Sequence, residues 1–195
     1  MSHTDPMSPD TVAALTGHYE GILNLLAPGW ADNPHMASTP GRVARWWREF
    51  MDYDPGTIDT TFPVEHVDQM VVVSGIETWS LCAHHLLPFS AVVSIGYIAD
   101  TEVLGLSKFA RIAHHAAHRP TSQEQLVATI ADNVAKHTHT DDVAVTASGV
   151  HLCMAMRGIK TPATMTTSVT RGQFREDTRC RAEWFALLDR QRPTG

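Results

Sequence analysis

Four β-rich segments, with two helical segments between the second and the third, most constrain the fold of this chain. Residues 70–73 and 91–98 are rich in β-branched side chains and predict two strands. Strands are predicted again over residues 143–156 and around residues 164–170. Two strands, two helices and two strands in this order indicate an α+β fold.

The two central helices are predicted over residues 107–118 and from Thr121 onward. Thr121 and Glu124 have the spacing of a capping box, in which a hydroxyl and a carboxylate cap the first turn of a helix. The apolar side of this second helix carries Leu126, Val127, Ile130 and Val134. A last helix is predicted over residues 178–188, with Trp184, Leu187 and Leu188 placed for burial.

Two further helices are predicted before the β-rich region. Ser8 and Pro9 are typical of a helix start, and Pro28-Gly29 ends that helix. Ser38 opens a second helix whose apolar face carries Val43, Trp46, Trp47 and Phe50. We therefore expect a helical N-terminal arm over residues 1–60 and a catalytic domain over residues 61–195.

Composition narrows the class of protein. Of 195 residues, 43% are hydrophobic and 18% are charged, which favours a packed core over disorder. A formal net charge of −6 disfavours a general nucleic-acid binder. No apolar run reaches the ~18–20 residues of a membrane helix. The first six residues lack the features of a signal peptide, and three cysteines do not suggest a disulfide framework, so we expect a cytoplasmic protein.

Two Cys/His pairs indicate a metal site. Cys82 and His85 are three residues apart, a spacing that alone is weak evidence. His151 and Cys153 alternate in a predicted strand, where alternate side chains share a face. Zn²⁺ prefers thiolate and imidazole ligands, and a site with three protein ligands keeps a position for water. Pairs this far apart in sequence can converge on one ion.

Our interpretation assigns Cys82, His85 and Cys153 to zinc and leaves His84 and His151 for acid–base chemistry. The alternative is a closed structural site with His151 as the fourth ligand. Cys180 has no partner at metal-ligand spacing, and we interpret it as an ordinary helix residue.

Cations cluster near predicted helix starts, although the protein is acidic overall. Arg42 with Arg45, and Lys108 with Arg111, are pairs three apart that we place in first helical turns, where backbone N–H groups favour anions. Each cation alone is more often a solvated surface charge. Together with Arg157, they suggest a small polyphosphate ligand rather than DNA.

Five motifs and the ending Phe174-Arg175-Glu176-Asp177 occur in the order and spacing of one family. The motifs are Ser38-Thr39-Pro40-Gly41-Arg42-Val43-Ala44, Cys82-Ala83-His84-His85-Leu86-Leu87-Pro88-Phe89, Gly105-Leu106-Ser107-Lys108-Phe109-Ala110-Arg111-Ile112, Arg119-Pro120 with Gln123-Glu124, and His151-Leu152-Cys153-Met154-Ala155-Met156-Arg157-Gly158. From Ser38 to about Leu188, the chain resembles GTP cyclohydrolase I, a zinc enzyme of the tunnelling fold.

The resemblance implies a role for each matching residue. Zinc would be held by Cys82, His85 and Cys153, and protons would be moved by His84 and His151. Guanine would be recognised by Gln123 and Glu124, although capping alone also explains Glu124, and Ser107 would lie by the ribose. The triphosphate would be bound by Lys108, Arg111, Arg157, Arg42 and Arg45.

The implied reaction is zinc-dependent conversion of GTP to 7,8-dihydroneopterin triphosphate with release of formate, the entry to tetrahydrofolate biosynthesis. The implied fold is an antiparallel sheet with two helices on one face. Its sheets join into a barrel within a decamer of two pentamers.

One position departs from the motif, because Ala83 stands where the family has Glu. This motivates an alternative, a divergent homologue that acts on GTP or a related purine nucleotide and stops at an early ring-opened product. A further alternative is a non-catalytic nucleotide-binding zinc protein. The related nitrile reductase of deazaguanine synthesis needs no zinc, so the two Cys/His pairs argue against it.

Overall fold

The computed structural model describes residues 6–65 and 69–190, and the chain divides into two compact units between Asp54 and Pro55. The prediction about the extreme N-terminus falls largely on residues outside this range. The boundary near residue 60 remains a prediction. Within the described residues, none of the helices is long and apolar enough to cross a membrane.

The N-terminal unit contains two helices, α1 (Pro9–Leu26) and α2 (Thr39–Met51), with a 3-10 turn at Trp30–Asp32 between them. Ser8 caps α1, because its hydroxyl accepts a hydrogen bond from the Thr11 N–H at 3.1 Å. The two helices are joined by a bond of 2.6 Å from the Trp47 indole N–H to the Tyr19 hydroxyl. Both predicted helices are confirmed in this unit.

The second unit is built on a five-stranded sheet of order β5-β2-β3-β6-β7. Its strands are β2 (Gln69–Cys82), β3 (Pro88–Ala99), β5 (Pro120–Thr121), β6 (Val143–His151) and β7 (Thr164–Thr170). All pairs are antiparallel except β2 with β5. A small second sheet pairs β1 (Thr61–Pro63) with β4 (Glu102–Leu104). The architecture is therefore α+β, as the segment order predicts.

Two helices, α3 (Leu106–Ala117) and α4 (Gln123–Thr138), cover one face of this sheet. Alternate residues of β3 point into the core with them, including the fully buried Val93, Ile95 and Tyr97. The predicted apolar side of α4 is confirmed, since Leu126, Val127, Ile130 and Val134 are all buried in this core.

The remaining helices are α5 (Leu152–Ala155), α6 (Gln173–Glu176) and α7 (Thr178–Arg190). Trp184 of α7 is fully buried in a second core cluster with Phe174, Ile98 and Ala144. Its ring passes close to Gly96, where a Cβ atom would lie 2.5 Å from the indole. The last predicted helix is thus confirmed, with Leu187 and Leu188 half-buried.

Three details of the sequence prediction are wrong. Strand β6 ends at His151, and Cys153 lies in the helical turn α5 instead of continuing the strand. The cap of α4 is Ser122, whose hydroxyl accepts from the Gln125 N–H at 3.2 Å, because Thr121 pairs with Cys82 in β5. The second cation of each pair lies beyond the first turn: Arg45 is the seventh residue of α2, and Arg111 is the sixth of α3.

Candidate active site

The turn between β2 and β3 presents the first metal-ligand motif. The Cys82 N–H donates to the Leu87 carbonyl at 2.9 Å, and the Leu86 N–H donates to the Cys82 carbonyl at 2.8 Å. Leu86 adopts a positive φ of 53°, which tightens this turn. The Ala83 N–H donates to the Thr121 carbonyl at 3.0 Å, which fixes the turn beside the start of α4.

Three side chains of the chain converge on a candidate metal centre. The ligand atoms of Cys82, His85 and Cys153 all lie within 4.8 Å of one another. Two thiolates and one imidazole are a donor set that suits zinc and leaves room for a further ligand. The pKa of the Cys153 thiol is raised by burial and by the neighbouring Cys82, whereas Arg157 lowers it. The residues present therefore fit a zinc ion.

Two more side chains border this centre. His84 lies beside it, with Nδ1 3.7 Å from the Cys82 Sγ. The exposed Arg157 follows α5 and approaches His85, with Nη1 2.5 Å from the imidazole Nε2. A cation and a second imidazole are thus available next to the three candidate ligands.

His151, the last residue of β6, is held on two sides. Its ring stacks on Phe89, which is its cross-strand neighbour in β3, with centroids 4.4 Å apart. Its Nε2 donates to the Gln123 Oε1 at 3.0 Å. Burial lowers the pKa of His151, and the nearby carboxylate of Glu124 partly opposes this by raising it. The arrangement favours a neutral imidazole, which can accept a proton.

The adjacent residues Gln123 and Glu124 differ sharply in exposure. Gln123 is fully buried, whereas Glu124 is exposed at the start of α4. The Glu124 carboxylate is therefore free to meet a ligand. The Gln123 amide is already engaged inside the sheet, which does not favour the guanine contact that the resemblance implies for its side chain.

Lys108 and Arg111 form a separate cationic pair on α3. The Lys108 Nζ and the Arg111 Nη1 both donate to the Thr57 carbonyl, at 3.0 Å and 2.8 Å. Ser107 is exposed one residue before Lys108. Lys108 is only 7% exposed, so its aliphatic chain is packed against the protein and its ammonium group is held at the Thr57 carbonyl.

Lys108 and Arg111 lie in the first half of α3, whereas the candidate metal centre lies beyond the C-terminal end of that helix. The helix starts at Leu106, and the chain beyond its end returns through Pro120 and Thr121, which pair with Leu81 and Cys82. From Lys108 and Arg111 to Ala117, the last residue of α3, the helix rises about 14 Å and about 9 Å, and both side chains are held at the Thr57 carbonyl. The structure of one chain therefore does not bring Ser107, Lys108 and Arg111 to Cys82.

Arg42 and Arg45 belong to the N-terminal unit, and their part in the site stays a prediction. The Arg42 guanidinium is held locally, since Nη2 donates to the His35 carbonyl at 2.8 Å and to the Thr39 hydroxyl at 3.2 Å. Arg45 lies one turn further along α2.

The sequence matches the model of one protein family, GTP cyclohydrolase I, over residues 17–189. The chain belongs to the GTP cyclohydrolase I family. GTP cyclohydrolase 1 of Sulfurihydrogenibium sp. (strain YO3AOP1) is 40% identical over 174 residues, 87% of this chain and 93% of that protein. The enzyme of the same name from Mycobacteroides abscessus is 45% identical over 166 residues, 82% of this chain and 81% of that protein. The resemblance inferred from the motifs is confirmed.

Among solved structures, the archaeosine synthase QueF-Like in the apo form aligns with a TM-score of 0.41 and 19% identity. The alignment covers 51% of this chain and 91% of that chain.

Sequence reasoning assigned no role to Phe89 or Thr57, which contact candidate site residues of this GTP cyclohydrolase I family member. Phe89 stands inside a quoted motif, and its place at the start of the strand after His84 and His85 was the available signal. Thr57 contributes only its backbone carbonyl, which any residue type could supply, so no sequence signal could have found it.

Proposed function

We propose that this protein is a zinc-dependent GTP cyclohydrolase that converts GTP to 7,8-dihydroneopterin triphosphate and formate. The observation that carries the proposal is the convergence of Cys82, His85 and Cys153 within 4.8 Å in a chain of this family. His151 lies two residues before Cys153, and the Glu124 carboxylate is near His151. When bound, zinc supplies the Lewis acidity that makes water a nucleophile near neutral pH.

The overall reaction consumes one water. Water adds to C8 of guanine and opens the imidazole ring to a formamide, and a second water releases C8 as formate. The ribose then opens, rearranges and recloses on the pyrimidine with loss of one water. Each stage moves protons, so it requires groups that take up and return protons near neutral pH.

His151 and His84 are the proton-transfer groups of the proposal. Burial keeps the pKa of His151 low, so the ring is neutral at physiological pH and ready to accept a proton. The exposed Glu124 carboxylate would accept two N–H bonds from the amidine edge of guanine, which a purine lacking the 2-amino group cannot fully supply.

The triphosphate would be bound by Lys108, Arg111, Arg157, Arg42 and Arg45, with Ser107 by the ribose. About 14 Å and about 9 Å of α3 separate Lys108 and Arg111 from the helix end nearest the metal centre of their own chain, and both side chains bind the Thr57 carbonyl instead, so we infer that a complete site needs residues of two chains. We therefore propose that the chain assembles as a ring with sites between subunits, as a decamer of two pentamers with the tunnelling fold. Exposed apolar side chains such as Leu25, Leu26 and Ile159, each more than three-quarters exposed, are suited to contacts between chains. A cytoplasmic location stays a prediction.

The divergent homologue that stops early is the second candidate, and Ala83 favours it. Ala83 is exposed in the turn that carries Cys82, so a carboxylate is missing beside the metal centre. Loss of one such polar group costs about 2–4 kcal/mol of transition-state stabilisation.

Product analysis decides between these candidates. Zinc-loaded protein is incubated with GTP without oxygen, and products are followed by mass spectrometry and by fluorescence after oxidation. A pterin triphosphate is expected, and a formamide or open diaminopyrimidine without pterin would establish the early stop. Unchanged GTP would contradict both.

An Ala83→Glu variant measures what the missing carboxylate does. We expect it to raise kcat by about 10-fold or more, since a charge is restored to a polar site. Ala83→Gln is the matched control, with the same length and no charge, and should give little increase. Equal kcat for all three proteins would show that position 83 takes no part.

A further inference from the structure

The side chain of Gln123 is fully buried and fully engaged. Its Nε2 donates toward the carbonyls of Ala147 and Met165, both at 3.0 Å, and toward the Thr167 hydroxyl at 3.1 Å. These acceptors belong to β6 and β7, so the amide is fixed by two strands of the sheet rather than by its own helix.

These bonds determine which way the Gln123 amide is turned. Carbonyl oxygens accept hydrogen bonds and cannot donate, so the NH₂ group must face Ala147 and Met165. The Oε1 atom then faces His151, whose Nε2 lies 3.0 Å away. Because an amide oxygen only accepts, the His151 Nε2 must carry a proton.

The backbone around Gln123 leaves space for this arrangement. Gly149 lies in β6 between Ala147 and His151. A Cβ atom at position 149 would overlap the Ser90 carbonyl and would lie 2.8 Å from the Gln123 Oε1. Any side chain at this position would displace the amide from His151.

We propose that Gln123 is a positioning residue that holds His151 as the tautomer protonated on Nε2 and leaves Nδ1 as the basic nitrogen. In a neutral imidazole one nitrogen carries the proton and the other accepts, so fixing Nε2–H fixes Nδ1 as the acceptor. Gln123 therefore acts on the reaction through His151, and its side chain does not read guanine. The kinetic part of this inference rests on the proposed function, whereas the tautomer does not.

Two substitutions separate positioning from guanine binding. Gln123→Met removes the acceptor at similar length and leaves His151 without its partner. Thr167→Val is the matched control. It removes one hydrogen bond of the Gln123 side-chain amide and keeps the contact of Oε1 with His151. Thermal unfolding is measured for both, so that loss of fold is recognised.

The kinetic readout compares the effect of each substitution on kcat with its effect on KM for GTP. In the Met variant we expect kcat to fall about 100-fold, the scale of general acid–base catalysis, with KM within about two-fold of the parent. The Val variant should stay within about two-fold on both. A Met variant with KM raised more than about ten-fold and kcat retained would overturn the inference in favour of a guanine contact.

The spectroscopic readout needs no turnover, and the tautomer is read in the unmodified protein. In protein labelled with ¹⁵N at histidine, long-range ¹H–¹⁵N correlation identifies the ring nitrogen that carries the proton, with His151 assigned by its loss in His151→Asn. We expect Nε2–H in the unmodified protein. A His151 ring protonated on Nδ1 alone would overturn the proposal. An inactive protein with Nε2–H would instead contradict the proposed function and leave the tautomer assignment standing.

Discussion

The imidazole of His151 lies flat against the ring of Phe89, with centroids 4.4 Å apart and planes 7° apart. The two residues are direct partners in the β3–β6 ladder, and Phe89 is fully buried. The stack fixes the plane of the imidazole, while the hydrogen bond from Nε2 fixes its rotation within that plane.

Replacing Phe89 with Leu should therefore loosen His151. We expect kcat to fall about 10-fold, because His151 is a proposed proton-transfer group and small misplacement of such a group is costly. Stability should fall by about 1–2 kcal/mol from the lost core volume. Denaturant unfolding and steady-state kinetics measure the two effects.

Tyr97→Phe is the matched control for Phe89→Leu. Tyr97 is another fully buried aromatic residue of β3, and its hydroxyl accepts from the Leu104 N–H at 2.9 Å, so its loss should cost about 1–2 kcal/mol. Tyr97 does not contact His151 in the described hydrogen bonds and stacks, so the kcat of the Tyr97→Phe variant should be unchanged. An equal fall in kcat for both variants would show that general destabilisation, not the stack, is responsible.

Removing either cysteine of the candidate metal centre should abolish zinc binding. We expect about one zinc per chain in the parent protein and far less in Cys82→Ser and Cys153→Ser, since serine does not replace a thiolate ligand. Elemental analysis after dialysis measures this.

Cys180→Ser provides the control within the same chain. Cys180 packs beside the Trp184 cluster and is not part of the candidate ligand group. Its variant should keep its zinc. Equal zinc content in all three serine variants would place the metal elsewhere.

Stability should decrease in mildly acidic solution. Burial lowers the pKa of His114 and of His137 from 6.5, with His118 adding to the effect at His114 and Asp59 opposing it at His137. The unfolded chain therefore binds protons first as pH falls, and the free energy of unfolding declines below pH 6.5 toward the lower folded-state pKa values.

The matched comparison is between zinc-saturated parent protein and His114→Gln at pH 7.5 and 5.5, about one unit either side of the unfolded pKa. The Tm of the parent should drop more between these pH values than the Tm of the variant. A larger drop in the Tm of His114→Gln than in the Tm of the parent would contradict this prediction.

Mixed assemblies should recover activity if sites form between chains. Arg111→Ala removes a proposed triphosphate-binding side chain from the first half of α3, and His151→Asn removes a proposed proton-transfer group beyond the C-terminal end of that helix. Each variant alone should be nearly inactive. When the two are unfolded and reassembled together in equal amounts, random pairing should restore about one quarter of the sites, because one interface in four joins two intact contributions. Mixed assemblies without recovered activity would show that each chain supplies a whole site.

The sequence was sufficient for most of the fold. The strand predicted around residues 164–170 is β7, and the four apolar positions of α4 are buried, because periodicity records which face a local segment buries. The predicted cap of α4 is wrong because Thr121 pairs with Cys82 in the sheet. This contact joins residues distant in sequence, which a local pattern does not show.

The convergence of Cys82, His85 and Cys153 was predictable from residue chemistry, but the way in which they converge was not. Cys82, His85 and Cys153 do converge, yet Cys153 reaches the group from the helical turn α5 and not by strand alternation. The hydrogen bonds of Gln123 to β6 and β7 were not predictable at all, since no local pattern shows which carbonyls a buried amide will meet.

The most direct test of the account follows the carbon that the proposed reaction expels. Zinc-loaded protein is given GTP labelled with ¹³C at C8, and formate and pterin are quantified together over time. One labelled formate is expected for each dihydroneopterin triphosphate formed, with no label left in the pterin. Zinc-bound protein that leaves C8 in GTP would contradict it.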